Sequence, residues 1–173
     1  MSWKNPFVFI VVMTLLCLLT TMFIRVPLPS RGYFNFGDVA VVFSGLMAGK
    51  HLTGTSKWSG TLAGGVGSAI ADVVGGYAMF APITLVAKCL EAAMATFAST
   101  AKPLLSLLFL TVGAVLMVGV YFIGEWLMPS LGIAGALSEL PANVIQAVGG
   151  LVGGYILFRA LDLIIRAGEM PDA

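Results

Sequence analysis

Long apolar runs separated by short polar clusters make up the hydropathy pattern of this chain. A helix that crosses a bilayer needs about 20 mostly apolar residues, and five windows have that length: Phe7 to Ile24, Trp58 to Met79, Pro82 to Ala101, Pro103 to Leu127 and Asn143 to Ile165. A sixth run, Val39 to Gly49, is apolar but short, a length that more often marks a re-entrant or interfacial piece. The first run follows Lys4 as a signal peptide would. It is long for an h-region, however, and ends at Arg25-Val26-Pro27 without an A-x-A cleavage pattern, so it reads as a retained first span.

Composition points the same way. Of 173 residues 59% are hydrophobic and only 10% charged, with a mean hydropathy of +1.02, whereas charged residues make up about a quarter of a soluble protein. The chain is therefore expected to be an integral membrane protein, one domain over residues 1–173 with no soluble domain, linker or convincing repeat. Its net charge of +1 is spread thinly, which argues against a nucleic-acid partner. Cys17 and Cys89 lie inside apolar runs, where a thiol is usually a small packing residue.

Loop lysines and arginines ordinarily set orientation, but here they do not decide between topologies. Six crossings with both termini inside place Lys4, Lys50, Lys57, Lys102, Arg159 and Arg166 inside, and five crossings with the N-terminus outside satisfy the charge bias equally well. Small residues recur in the third run (Ala63, Gly67, Ala71, Gly75, beside Gly60, Gly64, Ser68) and in the last (Gly149-Gly150, Gly153-Gly154). Such rows allow close helix approach within the bundle or against a second subunit.

Ionisable groups at membrane depth are costly and need a partner or a role. Asp72 and Lys88 lie at similar distances from the turn near Phe80-Ala81, each roughly 11 Å down at 1.5 Å per residue, so they can face one another as an ion pair. Glu91, at i+3 from Lys88, can share that lysine or face a cavity as a ligand. A second cluster gathers where the fifth run ends and the last begins: Tyr121, Glu125 and Trp126, then Glu139, Asn143 and Gln146. Tyr121 and Glu125 (i, i+4) and Asn143 and Gln146 (i, i+3) form two polar faces that can converge on one pocket. The alternative is an interfacial belt of Tyr121 and Trp126, with Asn143 capping the last helix after Pro141. A carboxylate beside two amides suits a neutral or cationic heteroaromatic ligand.

The segment from Pro27 to Asp38, with Pro29, Tyr33, Phe34, Asn35 and Phe36, is dense in turn formers, rings and hydrogen-bonding groups, and reads as a substrate lid. Catalysis finds no support. His51 is the lone histidine, in a short polar stretch, so no metal-ligating set is expected and no nucleophile has a nearby base. The glycine-rich Gly64-Gly65-Val66-Gly67 lacks a P-loop lysine. No cofactor is expected, and transport would need an ion gradient or an external motor.

Four motifs in order carry a family resemblance along nearly the whole chain: Val26-Pro27-Leu28-Pro29 leading to Gly32-Tyr33-Phe34-Asn35-Phe36-Gly37-Asp38; Gly64 to Asp72 with Gly75-Gly76-Tyr77; Ala81-Pro82-Ile83-Thr84 with Lys88-Cys89-Leu90-Glu91; and Glu139-Leu140-Pro141-Ala142-Asn143 with Gln146. The chain resembles the S component, the membrane-embedded substrate-binding subunit, of energy-coupling factor (ECF) vitamin transporters, in the branch with riboflavin, hydroxymethylpyrimidine and pyridoxine types. The resemblance implies an all-α membrane protein, a compact bundle of six transmembrane helices near residues 6–25, 37–50, 57–79, 82–101, 103–127 and 142–166. It also implies cytoplasmic termini in a bacterial cell membrane and a gating loop after the first helix. The vitamin, of pyridoxine or hydroxymethylpyrimidine type ahead of riboflavin, would be held by Asn35, Glu91, Tyr121, Glu125, Asn143 and Gln146. A transmembrane coupling subunit and two cytoplasmic ATPases would drive release. The family's first helix commonly docks on the coupling subunit through an Ala-x-x-x-Ala pair. Here the nearest equivalents are Cys17 and Thr21, with Thr14 one turn earlier, positions that suit packing inside the bundle equally well. A self-sufficient proton-coupled carrier using Asp72, Lys88 and Glu91 is the competing expectation.

Overall fold

A computed structural model describes residues 4–23, 25–27 and 33–169, without the side chains of Val26, Phe34 and Glu169. Among the described residues six α-helices run in chain order: α1 (Pro6–Phe23), α2 (Gly37–His51), α3 (Ser59–Gly75), α4 (Ala81–Ala98), α5 (Pro103–Leu127) and α6 (Gly132–Glu169). A 3₁₀ turn, Gly54–Trp58, leads into α3. Between α1 and α2 two short strands, β1 (Arg25–Pro27) and β2 (Tyr33–Asn35), pair antiparallel with Val26 opposite Phe34. Pro29 of the expected gate lies outside the described residues, and of Phe34 only the backbone is described.

Among the described residues four helices, α1, α4, α5 and α6, are long and apolar enough to cross a membrane. At 15 and 17 residues, α2 and α3 extend only about 22 and 26 Å along their axes. Helix α3 stops before Met79 because Gly76 adopts φ 87°, a left-handed C-cap that a side chain resists, and Tyr77 N–H then closes on Asp72 C=O at 2.7 Å. Helix α6 starts ten residues ahead of the expected position 142 and carries Pro141 in its interior. Proline removes one ladder bond and crowds the carbonyl four residues earlier, a local cost that the many other turns of this long helix outweigh.

The helices α1, α3, α4, α5 and α6 form an arc in which each packs on the next, and α2 fills the arc's concave side, touching α1, α3, α4 and α6. Eleven of α2's fifteen residues are buried, which explains why a helix too short to cross alone is stable here. Missing side chains allow the approach. A Cβ on Gly45 would collide with Ala92 C=O of α4, one on Gly60 with Ser44 C=O, and one on Gly150 of α6 with Asp38 Cβ. The half of the bundle away from the β hairpin is apolar, with Phe9, Val42, Phe43, Leu46, Met47, Leu110 and Phe158 in one cluster. At that end His51, the last residue of α2, places Nε2 3.2 Å from Asp162 Oδ1, and Arg166 bridges Asp162 at 2.9 Å. Large apolar side chains such as Leu104, Val115, Ile145 and Ile156 point outward, the surface a lipid-facing bundle presents.

The hairpin half has a charged interior. Lys88 of α4, 2% exposed, sits between Asp38 of α2 at 2.5 Å and Glu91 at 3.4 Å. The expected Asp72–Lys88 pair is thus not the one formed. Asp72 instead accepts a hydrogen bond from the Tyr33 hydroxyl. Equal depth along two helices says nothing of azimuth, and α2 comes between with its own carboxylate. The α1 stripe offered for docking is also turned inward: Cys17 and Thr21 are buried, and Gly67 of α3 lies against Thr14 C=O and Cys17 Cβ.

Three outcomes are expected from thermal unfolding in detergent. Gly45→Ala, forced against helix backbone, should lose about 1–3 kcal/mol, while Gly149→Ala, with nothing within 4 Å of the new Cβ, should be neutral or gain about 0.5–1 kcal/mol. Lys88→Met leaves two buried carboxylates without their cation and should cost about 3–5 kcal/mol; a melting curve equal to wild type would show that the ammonium does not hold the interior.

Candidate functional site

Above the Lys88 centre a cavity opens beneath the hairpin, lined by Tyr33, Asn35, Asp72, Phe80, Thr84, Tyr121, Glu125, Glu139, Asn143 and Gln146. Each element delivers its polar groups by simple periodicity. Tyr121 and Glu125 lie one turn apart on α5; Glu139, Asn143 and Gln146 share one face of α6; Thr84 lies in the first turn of α4; and Asp72 lies in the last turn of α3. Tyr33 and Asn35 alternate with Phe34 on β2, so both fall on one side of the strand.

Several of these groups are already paired. Tyr121 hydroxyl donates to Thr84 Oγ1 at 2.9 Å, and its ring lies 5.3 Å from Lys88 Nζ, a cation–π distance. Asn143 Nδ2 donates to Glu125 Oε1 at 3.4 Å. Gln146 accepts at Oε1 from the Asn35 N–H at 2.9 Å and from Asn35 Nδ2 at 3.1 Å, and its Nε2 donates to Asp38 Oδ1 at 3.0 Å. Two buried carboxylate oxygens on the cavity, Asp72 Oδ2 and Glu125 Oε2, have no hydrogen-bond partner among the described residues. Since buried acceptors ordinarily find donors, the cavity offers acceptors to a molecule that brings N–H or O–H groups.

The hairpin closes one side. Tyr33 lies with its ring centroid 4.5 Å from that of Tyr77, Arg25 Cζ lies 5.9 and 5.6 Å from those two centroids, and Arg25 Nη1 donates to Gly75 C=O at 3.4 Å. Burial and the Asp72 carboxylate hold the Tyr33 phenol above its ordinary value, so it remains a donor across the physiological range. The interior space measures about 20 Å³, little more than one water requires.

Of the six residues expected to hold a ligand, Asn35, Tyr121, Glu125, Asn143 and Gln146 converge on this cavity. Glu91 does not; it stays beside Lys88, since its position at i+3 directs it to the lysine. Among the gate residues Tyr33 reaches the cavity, while Phe36 is half-exposed outside it. Asp72, Thr84 and Phe80 also line the cavity, although sequence spacing does not mark them as ligands. Asp38, the carboxylate beneath it, is likewise missed by spacing; its place as a charge at the mouth of a short apolar run is the signal that could find it.

A family model described as "ECF-type riboflavin transporter, S component" matches residues 4–163. A curated relative from Pyrococcus woesei, named "Uncharacterized protein in gap 3'region", is 35% identical over 154 residues, covering 85% of this chain and 97% of its own length. No solved structure matches the chain. With nearly the whole chain matched and a bundle whose outward faces are apolar, the protein belongs to the ECF-type riboflavin transporter S component family, multi-pass cell-membrane proteins of vitamin transport.

Proposed function

We propose that this chain binds a single-ring heteroaromatic vitamin or precursor rich in hydrogen-bond donors, of pyridoxine or hydroxymethylpyrimidine type, in the cavity under the hairpin. The observation that carries this reading is the acceptor-rich lining: three carboxylates, Asp72, Glu125 and Glu139, stand with amides and hydroxyls around the Phe80 ring. Ring nitrogens that carry a proton, exocyclic amines and hydroxymethyl groups would satisfy Asp72 Oδ2 and Glu125 Oε2. At about 20 Å³ the closed cavity holds neither one ring nor the fused rings of riboflavin, the vitamin in the family's name. Admitting any ring requires the hairpin to lift, and the Tyr33–Asp72 hydrogen bond is the contact that must break.

In this reading the subunit spans the membrane six times, with cytoplasmic termini, and a coupling subunit with two ATPases supplies the energy. Lys88 lies in a buried cluster with two carboxylates, which favours a fixed structural charge over a mobile proton relay. Uptake by reconstituted vesicles should therefore require ATP and the ATPase partners; uptake that proceeds without them and collapses with the proton gradient would establish a carrier instead.

Native mass spectrometry of the detergent-purified chain, followed by titration calorimetry with pyridoxine, hydroxymethylpyrimidine and riboflavin, tests the substrate. A stoichiometric one-ring adduct is expected, and a riboflavin adduct would reassign the ligand. Asn143→Ala and Glu125→Ala should each weaken binding by roughly 1–3 kcal/mol, or about 5- to 150-fold, with membrane insertion unchanged. Equal affinity in both variants would move the site elsewhere.

A further inference from the structure

Asp38 does not line the cavity, yet it is 1% exposed and receives two donors on one oxygen, Lys88 Nζ at 2.5 Å and Gln146 Nε2 at 3.0 Å. The second contact decides the orientation of an amide. With Nε2 toward the Asp38 carboxylate, Gln146 must turn Oε1 toward β2, where the Asn35 N–H and Asn35 Nδ2 both donate to it. A flipped amide would set its oxygen against a carboxylate and its NH₂ against two donors, so one orientation makes all three contacts and the other makes none. The chain of contacts then closes on itself. Asn35 Oδ1 accepts from the Gly37 N–H at 2.6 Å, and Gly37 begins the helix whose first turn carries Asp38. Gly150, one turn along α6 from Gln146, lets the two helices meet at this point, because a Cβ there would collide with Asp38 Cβ.

We propose that Asp38 is a positioning residue which, by orienting Gln146, clamps the Asn35 end of β2 to α6, so that the hairpin opens from its Tyr33 end about a fixed hinge at Asn35–Gly37. The inference deepens the reading of the hairpin as a lid and rests on it. It assigns the two ends of the short strand different parts. Tyr33 is held by one hydroxyl to Asp72 and by ring contacts, whereas Asn35 is held by three hydrogen bonds in a buried ring of groups.

Hydrogen–deuterium exchange on the full-length protein in detergent, with no vitamin added, reads this directly, because the Asn35 and Gly37 amides are themselves donors in the ring. Asp38→Ala, in which Glu91 still accompanies Lys88, should speed exchange of the 33–38 segment about tenfold or more while α4 and α5 stay protected. Asp38→Asn, which keeps an acceptor oxygen toward Gln146, should restore protection to within about threefold. Because Asp38 acts through Gln146, adding Asp38→Ala to Gln146→Leu should give no further acceleration. Gln146→Leu alone tests Asp38 without altering it: the side chain offers neither the acceptor to Asn35 nor the donor to Asp38, and protection of the 33–38 segment should fall. Wild-type exchange in Gln146→Leu, additive effects in the double variant, or equal acceleration across all helices would each overturn the proposal. These measurements contain no vitamin. A retained exchange pattern alongside absent vitamin binding would sink the substrate reading and leave the clamp standing.

Discussion

One buried ammonium organises the polar half of this protein. An uncompensated charge in a bilayer interior is costly, and Lys88 has its cost offset by carboxylates from its own helix and from α2. That requirement draws α2 against α4, and the glycines and alanines between the two helices let their backbones close the distance. Once α2 is held there, its first turn meets α6 at Gly150 and its entry meets β2 at Asn35. The position of the hairpin thus follows from the position of one lysine, through a short series of hydrogen bonds.

The bundle inverts the arrangement of a soluble protein at one end only. Its outward faces are large and apolar, the half away from the hairpin is packed with Phe9, Leu46, Met47 and Phe158, and the half beneath the hairpin holds carboxylates, amides and hydroxyls. Polar groups in that half fall into two classes. Those around Asp38 bond to one another, with Lys88 and Gln146 donating to its Oδ1 and Asn35 donating to Gln146, whereas Asp72 and Glu125 turn oxygens without donors among the described residues toward the cavity. The first class supports the second. Unpartnered acceptors on a cavity keep their geometry only when neighbouring groups hold the elements that carry them.

Much of this architecture is legible in the amino-acid sequence. The apolar runs mark α1, α4 and α5 to within a few residues, because length and apolar content suffice when a helix faces lipid. The i, i+3 and i, i+4 spacings of Tyr121 with Glu125 and of Asn143 with Gln146 place those residues on shared faces, and the faces do converge. The departures share a cause. Pairing Asp72 with Lys88 by depth, choosing between Lys88 and a ligand for Glu91, and choosing between docking and internal packing for Thr14, Cys17 and Thr21 each depend on which way a helix is rotated. Periodicity states which residues share a face; it does not state what that face meets.

The sequence by itself therefore determined a membrane bundle, its main apolar spans and the shared polar faces of α5 and α6, because those properties depend on composition and on spacing within single helices. Tertiary structure alone decided that a fifteen-residue helix lies inside the arc, that Asp38 rather than Asp72 answers Lys88, and that Asn35 and Gln146 bind each other across 111 positions of chain. Those outcomes depend on azimuth and on close backbone approach between helices, which packing of the whole bundle sets and no local pattern encodes.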